Sequence, residues 1–241
     1  MAGEIAAVWN ELRYQLSRFG FDRLNYGYSP ALHDPDNISR SMRFALSSHP
    51  DTRVRDIYIG PRLDRSPMRI WAGRNVGALS WAEAPRLLQE YGMVDIADEL
   101  DALLKRLGVH AGYTIAFPPN GRNGRGSMGL TAREGLTQDD VDRIWDRHGA
   151  EIMALASAAH GRLTHMPLPL KGYKVTDRQR ELLGWIADGK SVQDVAVLTG
   201  LSVSAVEKHL ARARAGLEAE TTAQAIARLA LLNQLHMPSA E

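Results

Sequence analysis

Hydrophobic and polar positions follow two rhythms along this chain. Near the start, Ile5, Val8, Leu12 and Leu16 recur every three to four residues, which predicts an amphipathic first helix. Phe21 to Tyr28 reads as a strand. The segment Pro35 to Ser47 is expected to contain a second helix, Asp56 to Gly60 predicts a short strand, and Ala82 to Leu107 a helical stretch. Gly112 to Pro118 predicts another strand. Asn120 to Gly124 has the composition of a hairpin turn, from which Gly126 to Arg133 returns as the partner strand. Thr137 followed by Asp140 is a capping signal for a long helix to about His160, carrying Val141, Ile144, Trp145, Ile152, Met153 and Leu155. Pro167, Pro169 and Gly172 then interrupt the pattern between Gly161 and Lys174, which suits a linker.

From Val175 onward the rhythm is helical throughout, in short segments. Thr176 can cap a helix to about Asp188 with Leu182, Leu183 and Ile186 on one face, and Gly189 suits the left-handed residue that ends it. Ser191 and Asp194 form a second capping pair. The helix they start carries Val195, Ala196 and Leu198 and stops near Thr199–Gly200. Ser202 caps a third helix, with Val206 and Leu210 pointing inward. Ala196 is small, as needed where two helices cross closely. A helix so placed can enter a major groove, with base edges before its N-terminal side chains and phosphates beside its cations. The candidate DNA contacts are Ser204, Glu207, Lys208, Arg212 and Arg214 on the third helix and Lys190 in the preceding turn. The bland alternative is a three-helix bundle that binds nothing, or binds a protein. A last helix, Thr222 to Leu235, shows a stripe of Ile226, Leu229, Ala230 and Asn233 that suits a dimer contact.

The stretch from Thr176 to Leu217 resembles the LuxR-type (GerE-type) helix-turn-helix. The matching signs are Thr176, Arg178, Glu181-Leu182-Leu183, Ala187, Gly189-Lys190-Ser191, Val195-Ala196, Leu201-Ser202, Val206, Lys208-His209-Leu210 and Leu217. Two positions depart from the family. Gln179 stands where Glu is usual, and Glu207 stands where Lys is usual. An anion there weakens attraction to phosphates, or at a base edge accepts from cytosine N4. The chain before this head resembles the same family's autoinducer-binding domain, on Trp81, Leu107-Gly108, Gly112-Tyr113-Thr114, Pro118 and the hairpin that follows. The acidic cluster and late Lys of a response regulator, the other common carrier of such a head, are missing.

The resemblance implies an α+β chain. Residues 1–162 form an α-β-α sandwich around an antiparallel sheet, 163–174 a linker, and 175–241 an all-α, four-helix DNA-binding domain. It implies a dimeric, sequence-specific transcription regulator of the quorum-sensing type. Its partners would be DNA with a palindromic operator, a second copy, and an acyl-homoserine lactone or another small apolar ligand. The runner-up is an antiactivator that forms heterodimers with a receptor of this family, which Glu207 also suits.

In that family an Asp-Pro pair lies shortly before a Trp. The Asp accepts the ligand amide N–H, and the Trp donates its indole N–H to the lactone carbonyl. Counted back from Trp81, the family spacing reaches Ser66, followed by Pro67. The Pro and Trp are present, and the Asp is Ser. Asp64 is two residues away, which along a strand keeps the face but moves the side chain by about 7 Å. Of the family's upstream aromatic wall only Tyr58 has a counterpart, and Trp71 is a candidate replacement. The candidate ligand contacts are Tyr58, Ser66, Trp71, Trp81 and Thr131. A buried charge-assisted hydrogen bond contributes about 1.5–3 kcal/mol, so its loss predicts a pocket that does not depend on a standard acyl-homoserine lactone. The pocket takes a different ligand, or is filled by its own side chains, or the register slips locally.

Composition sharpens this picture modestly. With 241 residues, 44% hydrophobic and 24% charged, the chain has room for one large and one small soluble domain. The net charge of +1 averages two unlike parts: between Lys171 and Leu217, eight Lys/Arg face five Asp/Glu. The sequence has no cysteine, hence no disulfide, thiolate nucleophile or zinc-cysteine site, which fits a reducing cytosol. Glu4, Glu11, Arg13 and Arg18 interrupt the first segment, unlike a secretion signal. No apolar run approaches the ~20 residues of a membrane span. The histidines show no repeated metal spacing. Asn120 to Gly126 lacks the ending of a phosphate loop, and there is no Gly-x-Ser-x-Gly elbow. These absences predict a cytoplasmic chain with no membrane partner, no catalytic set, no cofactor and no metal.

Overall fold

A computed structural model describes residues 2–30, 44–50, 66–120, 124–169 and 172–235. The chain divides into two compact units, Met1–Thr164 and His165–Glu241.

The first unit is built on a five-stranded antiparallel sheet. Helix α1 (Ala2–Ser17) buries Trp9, Leu12 and Leu16 and leads into β1 (Phe21–Ser29). Strands β2 (Phe44–Ser47), β3 (Gly77–Ser80), β4 (Gly112–Ala116) and β5 (Arg125–Ala132) complete the sheet in the order β2-β1-β5-β4-β3. The β4–β5 hairpin closes where Asn120 bridges Gly124, as the turn composition implies. Phe44 to Ser47, the end of the segment expected to contain a second helix, pair with β1 from Tyr28 to Asn25. Residues 35–43 and the strand expected at 56–60 lie outside the described residues.

Strand alternation sorts the sheet into two unlike faces. Leu24, Tyr26, Tyr113, Ile115, Met128 and Leu130 are buried on one face. Across it runs the row Tyr26–Met128–Ile115. Helix α5 (Gln138–His165) covers this face: Tyr113 stacks on Trp145 at 4.0 Å, and the Tyr26 hydroxyl lies 2.9 Å from His160 Nδ1. The reciprocal Thr137–Asp140 bonds cap α5, which runs five residues past His160. Gln138 fastens its start to the sheet, accepting from Gly112 N at 3.0 Å and donating to Ser80 Oγ at 3.0 Å. The opposite face carries small and polar residues, and the row Asn25–Gly129–Thr114 crosses it.

The expected helical stretch from Ala82 to Leu107 is two helices. A 3-10 turn (Trp81–Glu83) leads into α3 (Ala84–Glu90), and another (Val94–Ile96) into α4 (Ala97–Arg106). Gly92, at φ +64°, turns the chain between them. A helix not read from the sequence, α2 (Pro67–Arg74), packs on β4, β5 and α3. Ser66 is its N-cap residue, with Pro67 in the first turn. Ser66 thus opens a helix, and Asp64 lies outside the described residues.

The second unit consists of α6 (Asp177–Ala187), α7 (Val192–Thr199), α8 (Val203–Gly216) and α9 (Thr222–Leu231). Each start is capped by a side chain, from Thr176, Ser191, Ser202 and Thr221. Gly189 and Gly200 take the left-handed conformation that ends α6 and α7. Gln179 serves as well as Glu in the first capping box: its Oε1 accepts from Thr176 N at 2.9 Å and from the Tyr173 hydroxyl at 3.0 Å. Val195, Ala196, Val206, Leu210 and Leu217 meet Leu182 and Leu183 in the core.

Leu198 faces outward and is 53% exposed, beside Val197 at 83%. One expectation for this unit, the exposed stripe on the last helix, is corrected. Leu229, assigned to a dimer stripe, is fully buried with Ala225 in the unit's own core, and Asn233 is used to hold the Met166 carbonyl at 3.0 Å. Leu168 is fully buried, and its N–H bonds the Leu232 carbonyl at 2.9 Å, so this part of the expected linker belongs to the second unit.

Candidate functional site

The small and polar face of the sheet is the floor of a cavity of about 440 Å³. Asn25, Thr114, Ser127, Gly129 and Thr131 form that floor. Helix α2 contributes Pro67, Met68, Arg69 and Ala72, and α4 contributes Leu100 and Leu104. The volume is ordinary for a drug-sized ligand. It exists because the inward side chains of the floor are short, so helices resting on it leave space.

Trp81 forms one wall, and glycines admit it. A Cβ on Gly112 would lie 2.8 Å from the indole ring, and one on Gly129 would lie 3.9 Å from it. The indole N–H donates to Thr114 Oγ1 at 2.9 Å. Thr114 thus has its acceptor engaged and its own hydrogen to give.

The cavity brings together three of the candidate ligand contacts, Ser66, Trp81 and Thr131. Trp71 is half-buried on α2 and is not among the described lining residues. Tyr58 lies outside the described residues. Ser66 Oγ makes no cap bond to its helix. Thr131 is 1% exposed, and its Oγ1 has no hydrogen-bond partner among the described residues. A buried hydroxyl without a partner costs roughly 1–3 kcal/mol, so it favours any ligand that supplies one. Arg69 is buried at 7% exposure. The described lining holds one carboxylate, Asp101, exposed and paired with Lys105 at 2.7 Å. Sequence reasoning passed over Asn25, Arg69, Thr114, Ser127 and Gly129. For the four strand residues the signal was alternation, since within each strand the apolar residues take one parity and these take the other.

The candidate DNA contacts are on α8, apart from Lys190, which is exposed in the turn before α7. Ser204, Lys208 and Arg212 are exposed and follow one another at four-residue spacing, hence along one line. Glu207 is exposed on the flank of that line. Arg214 is half-buried and donates to Thr222 Oγ1 at 3.0 Å, which ties α8 to α9. Arg178 braces the turn, donating to the Thr199 carbonyl at 2.8 Å. Tyr173 lies against Gly216, where a Cβ would come within 2.1 Å of its ring. A groove-sized helix is thus held from both ends. Among the described residues there is no cluster of three potential metal ligands and no helix long and apolar enough to cross a membrane.

A ligand-sized cavity in one unit and a braced helix-turn-helix in the other define a transcription regulator. The comparisons agree on the class. The sequence matches the autoinducer binding domain family over residues 4–163, and sigma-70 region 4 over residues 174–217. The chain belongs to the autoinducer-binding-domain family and is a LuxR-type transcription regulator rather than an enzyme. The transcriptional activator protein BjaR1 of Bradyrhizobium diazoefficiens is 24% identical over 240 residues, covering 98% of this chain and 91% of that protein. Escherichia coli SdiA is 16% identical with a TM-score of 0.46, covering 97% of this chain and 92% of that one. SdiA in complex with octanoyl-rac-glycerol is 17% identical with a TM-score of 0.49, covering 97% and 91%.

Proposed function

We propose that the chain is a cytoplasmic, sequence-specific DNA-binding regulator that acts as a homodimer on a palindromic operator. Its N-terminal unit senses a small ligand through Ser66, Trp81 and Thr131, and it does not depend on a standard acyl-homoserine lactone. The observation that carries the DNA reading is the exposed line Ser204, Lys208 and Arg212 on a helix braced at both ends. One such head meets few bases, so two heads on a palindrome are the usual solution. The ligand reading rests on the walls of the cavity. Trp81 gives its N–H to Thr114, and the position that would accept a ligand amide N–H is Ser66.

The test is selection of genomic fragments by protein made without any acyl-homoserine lactone. Binding of a palindromic site by a dimer is expected. A panel of acyl-homoserine lactones should raise the melting temperature by about a degree or less, since ligand stabilisation follows RT ln(1 + [L]/Kd). A shift of several degrees would refute the independence. A protein that binds no fragment alone, yet removes a receptor of its family from DNA, would support the antiactivator reading. Glu207 favours that second reading, because it sets an anion beside the cationic line.

A further inference from the structure

Two glycines on the cavity side of the sheet differ in what they are for, and the inference drawn from them rests on the cavity being the sensor site. At Gly112 the fold itself demands glycine. A Cβ there would meet the Leu130 carbonyl oxygen at 2.0 Å and the Trp81 ring at 2.8 Å. Gly129, in the cavity floor, carries no such demand. Its φ is not in the left-handed region, and a Cβ would make one ordinary contact among the described residues, 3.9 Å from Trp81. A glycine inside a strand weakens it, through chain entropy and missing side-chain packing. Position 129 thus keeps a cost that its described neighbours do not require. Strand glycines of this kind mark places where a ligand comes close to the backbone.

Four neutral polar side chains surround the bare position. Asn25 and Thr114 flank it across the strands, on the row Asn25–Gly129–Thr114. Ser127 and Thr131 stand two residues before and after it on β5, hence on the same face. The Ser47 hydroxyl accepts from His49 N and so gives its hydrogen to Asn25 Oδ1 at 2.7 Å, which turns the Asn25 N–H groups away from Ser47. Thr114 accepts from Trp81 and keeps its own hydrogen to give. Thr131 is 1% exposed, with no partner for its hydroxyl among the described residues. We infer that Gly129 is the seat of a planar, neutral head group. This is a conjugated ring with oxygen acceptors on its rim, lying flat on the strand, with an apolar tail along Leu100 and Leu104. Asn25 and Thr114 are two strand spacings apart, about 9–10 Å. Less a hydrogen bond of about 2.9 Å at each side, that leaves room for one ring. Flatness matters because dispersion is short-ranged: a gap of about 0.5–1 Å forfeits a quarter to a half of each contact. A puckered ring cannot lie flush on the backbone, and a Cβ at position 129 would stand where the ring lies.

The experiment uses a matched pair of probes on the intact chain, 6-pentyl-2-pyrone and δ-decalactone, read by isothermal titration and by melting temperature. The two share a pentyl tail and the same oxygens on one six-membered ring. The pyrone is flat, and the saturated lactone is puckered. The pyrone should bind about tenfold more tightly, through the contact that a puckered ring forfeits. Gly129→Ala should melt as the wild type does or slightly higher, because the Cβ fits, yet bind the pyrone about tenfold or more weakly. Thr131→Val removes an unpartnered buried hydroxyl, so the unliganded protein should be at least as stable while the pyrone weakens severalfold. Equal or tighter binding of δ-decalactone overturns the planar head and leaves the sensor reading standing. So does a Gly129→Ala protein that takes the pyrone as the wild type does. A Gly129→Ala protein that fails to fold also overturns the planar head, since the glycine would then serve the fold. Binding of neither probe by the wild type overturns both.

Discussion

Leu229 gives the sharpest test of how the second unit is built. It is fully buried among Ala225, Leu182, Leu210 and their neighbours, yet by sequence it belongs to a stripe that suits a dimer surface. The two placements predict different responses to Leu229→Ala. Truncating a core leucine costs about 2–5 kcal/mol, through lost burial and the cavity left behind. A domain of this size holds roughly 4–10 kcal/mol in all. Each kcal/mol moves the melting point of so small a domain by about 4–8 °C, so a fall of roughly 10 °C or more is expected. The fall should not depend on protein concentration. A residue at a dimer interface would instead give a loss tied to association, which changes by about 1.4 kcal/mol per tenfold change in concentration.

The assay is hydrogen exchange of the intact variant, read peptide by peptide across residues 172–235 at several protein concentrations. Exchange should accelerate throughout the second unit at every concentration, while residues 2–30 stay protected. A destabilisation under half a kcal/mol, or one that disappears as concentration rises, would refute the core placement. Leu231, two residues on and 45% exposed, is the control. Leu231→Asp should leave exchange unchanged, and it should lower the dimer fraction only if α9 forms the proposed interface.

In DNA binding, Lys208→Ala and Arg212→Ala should each reduce the salt slope of log K by about 0.9, whereas Arg214→Ala should leave it unchanged because Arg214 serves Thr222. Equal slopes for all three variants would place the line Ser204–Lys208–Arg212 off the phosphates. Thr137 holds the Asp140 carboxyl down at about 2 from an ordinary 3.8, and Ser191 lowers Asp194 in the same way. With folded values depressed, the stability from both caps is full above the ordinary value and is lost as pH falls through the folded one. Melting temperatures should therefore fall between about pH 4 and 2, and less so in Asp140→Asn. An identical fall in that variant counts against the cap. Gly112→Ala would place a Cβ 2.0 Å from the Leu130 carbonyl oxygen and 2.8 Å from the Trp81 ring, so about 1–3 kcal/mol of stability and the Trp81 fluorescence signal should be lost. An unperturbed melt would mean that Trp81 does not lie on the sheet.

The second unit was legible because its boundaries are written locally. Thr176–Gln179 and Ser191–Asp194 each state a helix start within four residues, and Gly189 and Gly200 state the stops. No distant residue is needed to read them. Leu229 was harder to place for the opposite reason, since helical spacing shows that residues share a face but not what that face meets. The first unit was less legible where pairing decides the outcome. Phe44 to Ser47 becomes a strand through β1, to which it is joined across a long stretch of sequence. Ser66 to Arg74 carries no periodicity that sets it apart, although Pro67 and the following Met-Arg-Ile-Trp-Ala suit a helix start.

The cavity shows why a search for one expected aspartate was too narrow. Whether an apolar ligand can be held depends first on whether space survives folding. That is decided by the parity of Asn25, Thr114, Ser127, Gly129 and Thr131 on three strands. Had these positions carried the Val, Ile and Leu of their opposite neighbours, helix α2 would rest on a filled floor. Because they are short, the core forms on the α5 face and the other face stays open. Because most of them are also donors, the open face has a chemical preference.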